Sequence, residues 1–372
     1  MGEEDIKIAI VHDWLVTNAG AEKVLKEIVK LYPDADIYAL VDFLSMEDRE
    51  KILSAKSVKT SFIQRLPFAK KHFRNYLPLF PKAVESFDFG RYDLVISSSW
   101  AFAKGVRAKN HICYCHTPIR YAWDLYEEYI SQVGGPKKLL VSAVLKRIRR
   151  WDRKNLPNRF IANSTEVAKR IKRIYGKPSS VVHPPVDTEK FALFEDKEDY
   201  YVTMSRLVPY KKTKIIVEAF NQMPDKRLVV IGDGEELKAI EAVAKENIQI
   251  VGYQDDENAL RFMQRAKAFL YAAFEDFGIV MAEALSCGTP VIAYGRGGAC
   301  DIVEDGKNGI LYKNQDSKDI IEAVKRFEKI SFSPKEVRLS GERFDKERFK
   351  REFKREVDEF IEKSGAARFD RG

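Results

Sequence analysis

The chain has 372 residues, 45% of them hydrophobic, and a net charge of +8 at neutral pH. That length exceeds what one hydrophobic core ordinarily serves, so two domains are expected. No run of eighteen apolar residues occurs and the first residues lack the basic and apolar regions of a signal peptide, which argues against a spanning helix and for a cytoplasmic protein. The cysteines at 113, 115, 287 and 300 show neither CxxC pairs nor the flanking histidines of a zinc site, so they read as reduced thiols in or near the core.

Short apolar runs rich in β-branched and aromatic residues predict strands at Ile6–Val11, Asp36–Leu40, Leu94–Ser97, His111–Cys115, Phe160–Ala162 and Ser180–His183. Helical patterns lie between them, including Ala21–Leu31 and Lys138–Arg153, and this alternation predicts a parallel, doubly wound sheet. Two basic stretches interrupt the pattern. Lys70, Lys71, His72 and Arg74 lie among Phe62, Phe68, Phe73, Tyr76 and Phe80, and a second run from Lys137 to Lys154 alternates cations with Leu139, Leu140, Val144, Leu145 and Trp151. Such surfaces suit a solvated helix with an apolar inner face, an anionic membrane surface or nucleic acid; no nucleic-acid reading module accompanies them.

His183-Pro-Pro-Val-Asp187 and the charged Glu195–Asp199 form a seam, after which the pattern restarts. Strands are expected at Tyr200–Ser205, Arg227–Ile231, Ile248–Val251, Ala268–Tyr271 and Pro290–Ala293, with helices near Lys212–Asn221, Glu235–Glu246, Asn258–Arg265, Ile279–Ser286 and Ser317–Lys329. A charged helix over 345–363 is expected to pack back across the seam. The expected domains are 1–190, 191–344 and a tail of 345–372.

The most informative segment is Glu275-Asp-Phe-Gly-Ile-Val-Met-Ala-Glu283: a strand, a turn at Gly278 and a helix whose first amides, at Phe277, Gly278 and Ile279, face an anion. Glu283 lies one to two turns inside, where a carboxylate reaches a neighbouring hydroxyl pair; taken alone it serves equally well as a local cap or ion-pair partner. Ser205-Arg-Leu-Val-Pro-Tyr-Lys211-Lys212 places cations after a strand, suited to a diphosphate. Gly232 opens a glycine turn, Ile231-Gly-Asp-Gly-Glu235, and Gly297-Gly298 precedes Asp301. Each is a weak signal alone, but their order and spacing reinforce one another.

With these residues in place the chain resembles the family 4 glycosyltransferases of the GT-B superfamily over nearly its whole length. The resemblance rests on the Arg-Leu-Val-Pro-Tyr-Lys run, the Gly-Asp-Gly turn, the Glu-x7-Glu segment and Cys287-Gly-Thr-Pro-Val-Ile-Ala293. The first half adds His12-Asp-Trp14, Ala19-Gly-Ala-Glu-Lys-Val24, Ile96-Ser-Ser-Ser99 and Cys113-Tyr-Cys-His-Thr-Pro-Ile-Arg-Tyr-Ala-Trp-Asp124, the last similar to bacterial and archaeal mannosyltransferases of O-antigen and polysaccharide assembly. It implies two facing Rossmann-like α/β domains with an interdomain cleft. It also implies a retaining, metal-independent hexosyltransferase with GDP-mannose as donor, and the two basic stretches, in the half that binds the acceptor in this superfamily, lead to the expectation of a polyisoprenoid-linked saccharide as acceptor at the inner face of an anionic membrane.

Residue by residue, the resemblance assigns Arg206 and Lys211 to the donor diphosphate, Glu283 to the ribose hydroxyls and Glu275 to hydroxyls of the transferred sugar. The amides of Phe277, Gly278 and Ile279 come near sugar and phosphates, and His116 reaches the sugar from the opposite domain; on its residues alone His116 reads as a buried strand-end histidine bonded to backbone. The family's Gly-Gly in the first loop is here Ala19-Gly20, where Gly20 still allows close approach to a phosphate. Asp13 and Glu275 are candidate carboxylates near the reaction, neither of them needed to form a covalent intermediate. No cofactor and no metal are expected, since fixed cations and a helix N-terminus match the diphosphate charge and no DxD run ends a suitable strand.

Three other readings stand beside this one: a UDP-sugar donor, a noncatalytic nucleotide-sugar binder, and a sugar-phosphate epimerase on the same fold. A dinucleotide-dependent oxidoreductase is disfavoured, because His12-Asp-Trp-Leu stands after the first strand where G-x-G-x-x-G is needed.

Overall fold

The computed structural model describes residues 6–131, 133–135 and 137–365. The chain divides into two units, one formed by the residues up to His183 together with those from Phe349 onward, the other by Pro184–Arg348.

In the first unit β1 (Ile8–His12), β2 (Asp36–Ala39), β3 (Val58–Thr60), β4 (Leu94–Ser99), β5 (His111–Cys115), β6 (Arg159–Ala162) and β7 (Ser179–Val181) form a parallel sheet in the order β3-β2-β1-β4-β5-β6-β7. The central strands are near-continuous apolar or small residues because helices cover both faces. Helix Gly20–Leu31 buries Val24, Leu25, Ile28 and Val29 on this sheet. The chain re-enters the unit through helix Lys346–Ser364, whose Phe349, Phe353 and Val357 recur every fourth residue and join the same core. Arg159 anchors that helix through an ion pair with Glu356 at 2.5 Å.

In the second unit β8 (Glu198–Met204), β9 (Leu228–Ile231), β10 (Ile248–Gly252), β11 (Ala266–Tyr271), β12 (Val291–Tyr294) and β13 (Gly309–Tyr312) form a parallel sheet in the order β10-β9-β8-β11-β12-β13. Apolar clusters cover both faces. Helix Pro334–Glu342 lies so close to helix Ile279–Ser286 that a Cβ on Gly341 would come within 2.8 Å of the Ser286 nitrogen.

The structure differs from the expected elements in four respects. The helix expected over Glu235–Glu246 is confined to Leu237–Glu241. Beyond it the backbone is held in turns: Asn221 bonds the Val243 carbonyl and the Lys245 N–H, and the Asn247 amide donates to the carbonyls of Phe220, Met223 and Lys226. The charged seam yields its last two residues to β8, where Glu198 pairs with Arg265 and Asp199 with Lys267. Edge strands β3 and β13, and helices Thr165–Tyr175 and Pro334–Glu342, also occur. Cys113, Cys115 and Cys287 are buried, but Cys300 is exposed on the short helix Ala299–Ile302.

Candidate active site

In open parallel sheets, loops diverge at the carboxyl edge where strand order reverses, leaving room for a ligand. In the second unit that point lies between β8 and β11. The loop after β8 carries Arg206, then the single turn Pro209–Lys211; the loop after β11 carries Glu275 and leads into helix Ile279–Ser286.

The two loops meet through charge. Lys211 Nζ donates to Glu275 Oε1 at 2.5 Å and to the Tyr271 hydroxyl at 2.9 Å, and the Tyr271 hydroxyl donates to the same Glu275 oxygen at 3.3 Å. Both charged side chains are about five-sixths buried, exposed by 15% and 16%. Burial alone would lower the pKa of the Lys211 ammonium; the neighbouring Tyr271 and Glu275 groups outweigh it and hold the pKa above the ordinary lysine value, so the cation is secure at any working pH. Burial, and then the Glu275 charge, push the Tyr271 phenol upward.

Backbone geometry fixes this pair. Gly278 precedes the helix with φ +83°, a left-handed conformation that glycine adopts freely, and the Gly298 N–H donates to the Glu275 carbonyl at 3.0 Å. Gly232, at φ +139°, abuts the loop bearing Arg206 so closely that a Cβ there would lie 1.9 Å from the Ser205 carbonyl oxygen. Phe277 is buried edge-on against Phe344, and Ile279 is the first helical residue. Glu283, the fifth, is buried. Arg206 is exposed on its loop. The structure therefore brings Lys211 and Glu275 into contact, sets Gly232 against the loop that carries Arg206, and places Glu283 one turn into the helix behind Gly278.

In the first unit the corresponding point lies between β1 and β4. Asp13, immediately after β1, is fully buried and accepts the backbone N–H groups of Trp100, Ala101, Phe102 and Ala103 at 2.6–2.9 Å, with the Ser99 hydroxyl at 3.2 Å. Both of its oxygens are occupied in holding the turn after β4. Burial pushes its pKa up while the backbone donors oppose that rise.

His116 follows β5, is buried, and shares a hydrogen bond of 2.8 Å between Nε2 and the Ser98 hydroxyl, so its partner is a side chain rather than backbone. Burial, with a smaller contribution from His12, lowers its pKa to about 3, which makes it a neutral hydrogen-bonding group and not an acid at neutral pH. Gly20 opens helix Gly20–Leu31, and Ala19 before it is extended, at φ −130° and ψ −163°, a conformation open to any residue. The Glu22 carboxylate accepts the Ala19 N–H at 3.0 Å, so the alanine at this position is compatible with an ordered loop.

Two participants escaped the sequence reading. Tyr271 ends β11 in a run that reads simply as apolar strand, and Ser98 lies in a Ser-Ser-Ser run with nothing to single out its middle member. A hydroxyl aromatic four residues before a carboxylate, at a strand end, is the one signal available for Tyr271.

Comparison with known proteins places this geometry in a family. Residues 19–190 match the model for Glycosyltransferase Family 4, and residues 186–343 match that for Glycosyl transferases group 1. A glycosyltransferase of Methanocaldococcus jannaschii is 31% identical over 135 residues, 35% of this chain and 38% of that one. The GDP-mannose-dependent alpha-(1-6)-phosphatidylinositol monomannoside mannosyltransferase of Mycolicibacterium smegmatis is 29% identical over 181 residues, 40% of this chain and 47% of that one. The chain thus spans less than half the length of these curated relatives. Among solved structures, HepE of Anabaena in complex with UDP and glucose superposes with a TM-score of 0.71 at 20% identity, covering 95% of this chain and 99% of that one. Taken together the two family models run from residue 19 to residue 343, and the chain belongs to the family 4 glycosyltransferases of the GT-B superfamily.

Proposed function

We propose that this protein is a retaining, metal-independent hexosyltransferase that moves mannose from GDP-mannose onto a lipid-linked saccharide. The observation that carries the reading is the Lys211–Glu275 pair at the switch point of the second unit, beside the N-terminus of helix Ile279–Ser286. Cleaving a sugar–phosphate bond requires stabilisation of the leaving diphosphate, and fixed cations with helix amides supply it without a metal ion. Arg206 and Lys211 take the diphosphate, Glu283 the ribose hydroxyls, and Glu275 hydroxyls of the sugar, with the Phe277, Gly278 and Ile279 amides beside them. The departing phosphate oxygen receives the acceptor proton on the face it leaves, so no side-chain nucleophile is needed. His116 acts as a neutral partner for a sugar hydroxyl.

The M. smegmatis relative, named for a GDP-mannose donor, supports that choice. The Anabaena neighbour, solved with UDP and glucose, supports a second reading in which the donor is a UDP-sugar. A thermal-shift panel of GDP-mannose, UDP-glucose and UDP-N-acetylglucosamine separates them, because a ligand at a hundred times its Kd stabilises by about 2.7 kcal/mol. Release of GDP from GDP-mannose in EDTA is the expected result; turnover that disappears in EDTA and returns with magnesium overturns the metal-free mechanism.

An anionic membrane surface is the proposed place of work. Phe68 is 81% exposed beside Lys70 and Lys71, and Leu139 and Leu140, 78% and 68% exposed, follow Lys137 and Lys138. Among the described residues no helix is long and apolar enough to cross a membrane. Each surface cation adds about 1 kcal/mol near anionic lipid, so flotation with anionic but not neutral liposomes is expected, weakened by salt.

A further inference from the structure

We infer that Tyr271 is a positioning residue, whose hydroxyl bridges the phosphate-directed cation of Lys211 and the sugar-directed carboxylate of Glu275 and holds both when a ligand parts them. The inference rests on the glycosyltransferase reading above. It starts from a triangle of contacts: the phenol oxygen accepts from Lys211 Nζ at 2.9 Å and its O–H lies 3.3 Å from Glu275 Oε1, while Lys211 Nζ and that same oxygen are 2.5 Å apart.

Lys211 and Glu275 are closed on each other at 2.5 Å, each spending on its neighbour a bond that a ligand needs. An ammonium has three donors and a carboxylate about four acceptor sites. The phenol occupies one of each, from a fixed direction, and gives both groups a hydrogen-bond partner that remains when a ligand draws them apart. The direction is fixed because Tyr271 is the last residue of β11, is 5% exposed, stacks its ring on Phe269 at 6.0 Å and 21°, and has its carbonyl bonded by the Tyr312 hydroxyl at 3.3 Å. Lys211 Nζ also lies over the ring of Tyr210, at 5.2 Å, which keeps the ammonium on this side of its loop.

A group that presets two ligand-binding side chains acts on the transition state more than on ground-state binding, since a small misplacement is felt most where charge is developing. Tyr271→Phe keeps the ring and removes the hydroxyl. The full-length variant is expected to show kcat lowered about tenfold, with KM for the sugar donor and Kd for the free nucleoside diphosphate changed less than about threefold and the melting temperature held. Tyr271→His, which restores a hydrogen-bonding ring, is expected to recover part of that loss.

Wild-type kcat in Tyr271→Phe overturns the inference, and so does a loss carried entirely by KM. Should Tyr271→Phe not fold, a fluorinated tyrosine at position 271 retains the hydroxyl and acidifies it. The ionisable groups around it are Glu275, Lys211, Tyr210 and, through its hydroxyl on the Tyr271 carbonyl, Tyr312. The high-pH limb of kcat is then expected to move to lower pH, and superimposable profiles overturn the inference. Failure of the underlying reading looks different: in that case the wild type releases no nucleoside diphosphate from any donor, and Lys211→Ala changes nothing.

Discussion

The two switch points of this protein are built from the same kind of parallel sheet and contain opposite chemistry. Between β1 and β4, Asp13 is saturated by four backbone N–H groups. Between β8 and β11, Lys211 and Glu275 are both charged, reachable, and paired with each other rather than with backbone. The contrast teaches that a polar residue at a strand end is not by itself a site. What distinguishes the second point is that each charged group can exchange its partner for a ligand without leaving a buried donor or acceptor unsatisfied.

The largest expected effect tests the structural half of that contrast. Asp13→Ala leaves the N–H groups of Trp100, Phe102 and Ala103 without their acceptor and is expected to destabilise the first unit by about 3 kcal/mol or more, read from urea denaturation. A variant with unchanged stability and no turnover would instead return Asp13 to the reaction and erase the contrast.

Lys211→Ala and Arg206→Ala test the other half. Each removes a charge-assisted bond that strengthens as the diphosphate leaves, roughly 2–4 kcal/mol or about a hundredfold in kcat/KM, with the melting temperature unchanged for the exposed Arg206 and lowered for Lys211, whose loss leaves Glu275 without its cation. Wild-type kcat/KM in either variant removes the proposed diphosphate site.

A pH measurement sharpens the comparison further. His111, bonded to Ser97, and His116 both stand near a pKa of about 3 in the folded chain against an ordinary 6.5, because burial disfavours the charged imidazole. The unfolded chain therefore binds more protons between those values, so their contribution to stability is complete above pH 6.5 and falls as pH drops toward 3. For each histidine the loss between pH 7 and pH 5 is about 2 kcal/mol. His116→Gln should unfold with a correspondingly shallower pH dependence, whereas a slope equal to that of the wild type would show that its imidazole is not neutral in the folded state.

The smallest effect concerns the first loop. Because Ala19 is already extended and its N–H is taken by Glu22, Ala19→Gly gains no conformation it needs and loosens the unfolded chain, lowering stability by about 0.5–1 kcal/mol. Turnover should change less than twofold; a severalfold rise would mean that the alanine restrains the loop.

Sequence alone determined the alternation of strands and helices, the family, and the helix Ile279–Ser286 to the residue, since its glycine turn and small apolar face are local signals. It also placed Arg206, Lys211, Gly232, Glu275 and Glu283 at strand ends and helix starts, where backbone geometry makes ligand sites. It missed helix Thr165–Tyr175, although Ser164 caps its first turn and Gly176 ends it at φ +68°, and it lengthened the helix at Leu237–Glu241, where side chains distant in sequence claim the backbone. Tertiary structure decided what each polar group does. Whether a carboxylate holds a turn, as Asp13 does, or faces a cation, as Glu275 does, depends on which donors other strands bring to it, and hydrogen-bond partners some sixty to ninety residues apart leave no periodic trace in the chain.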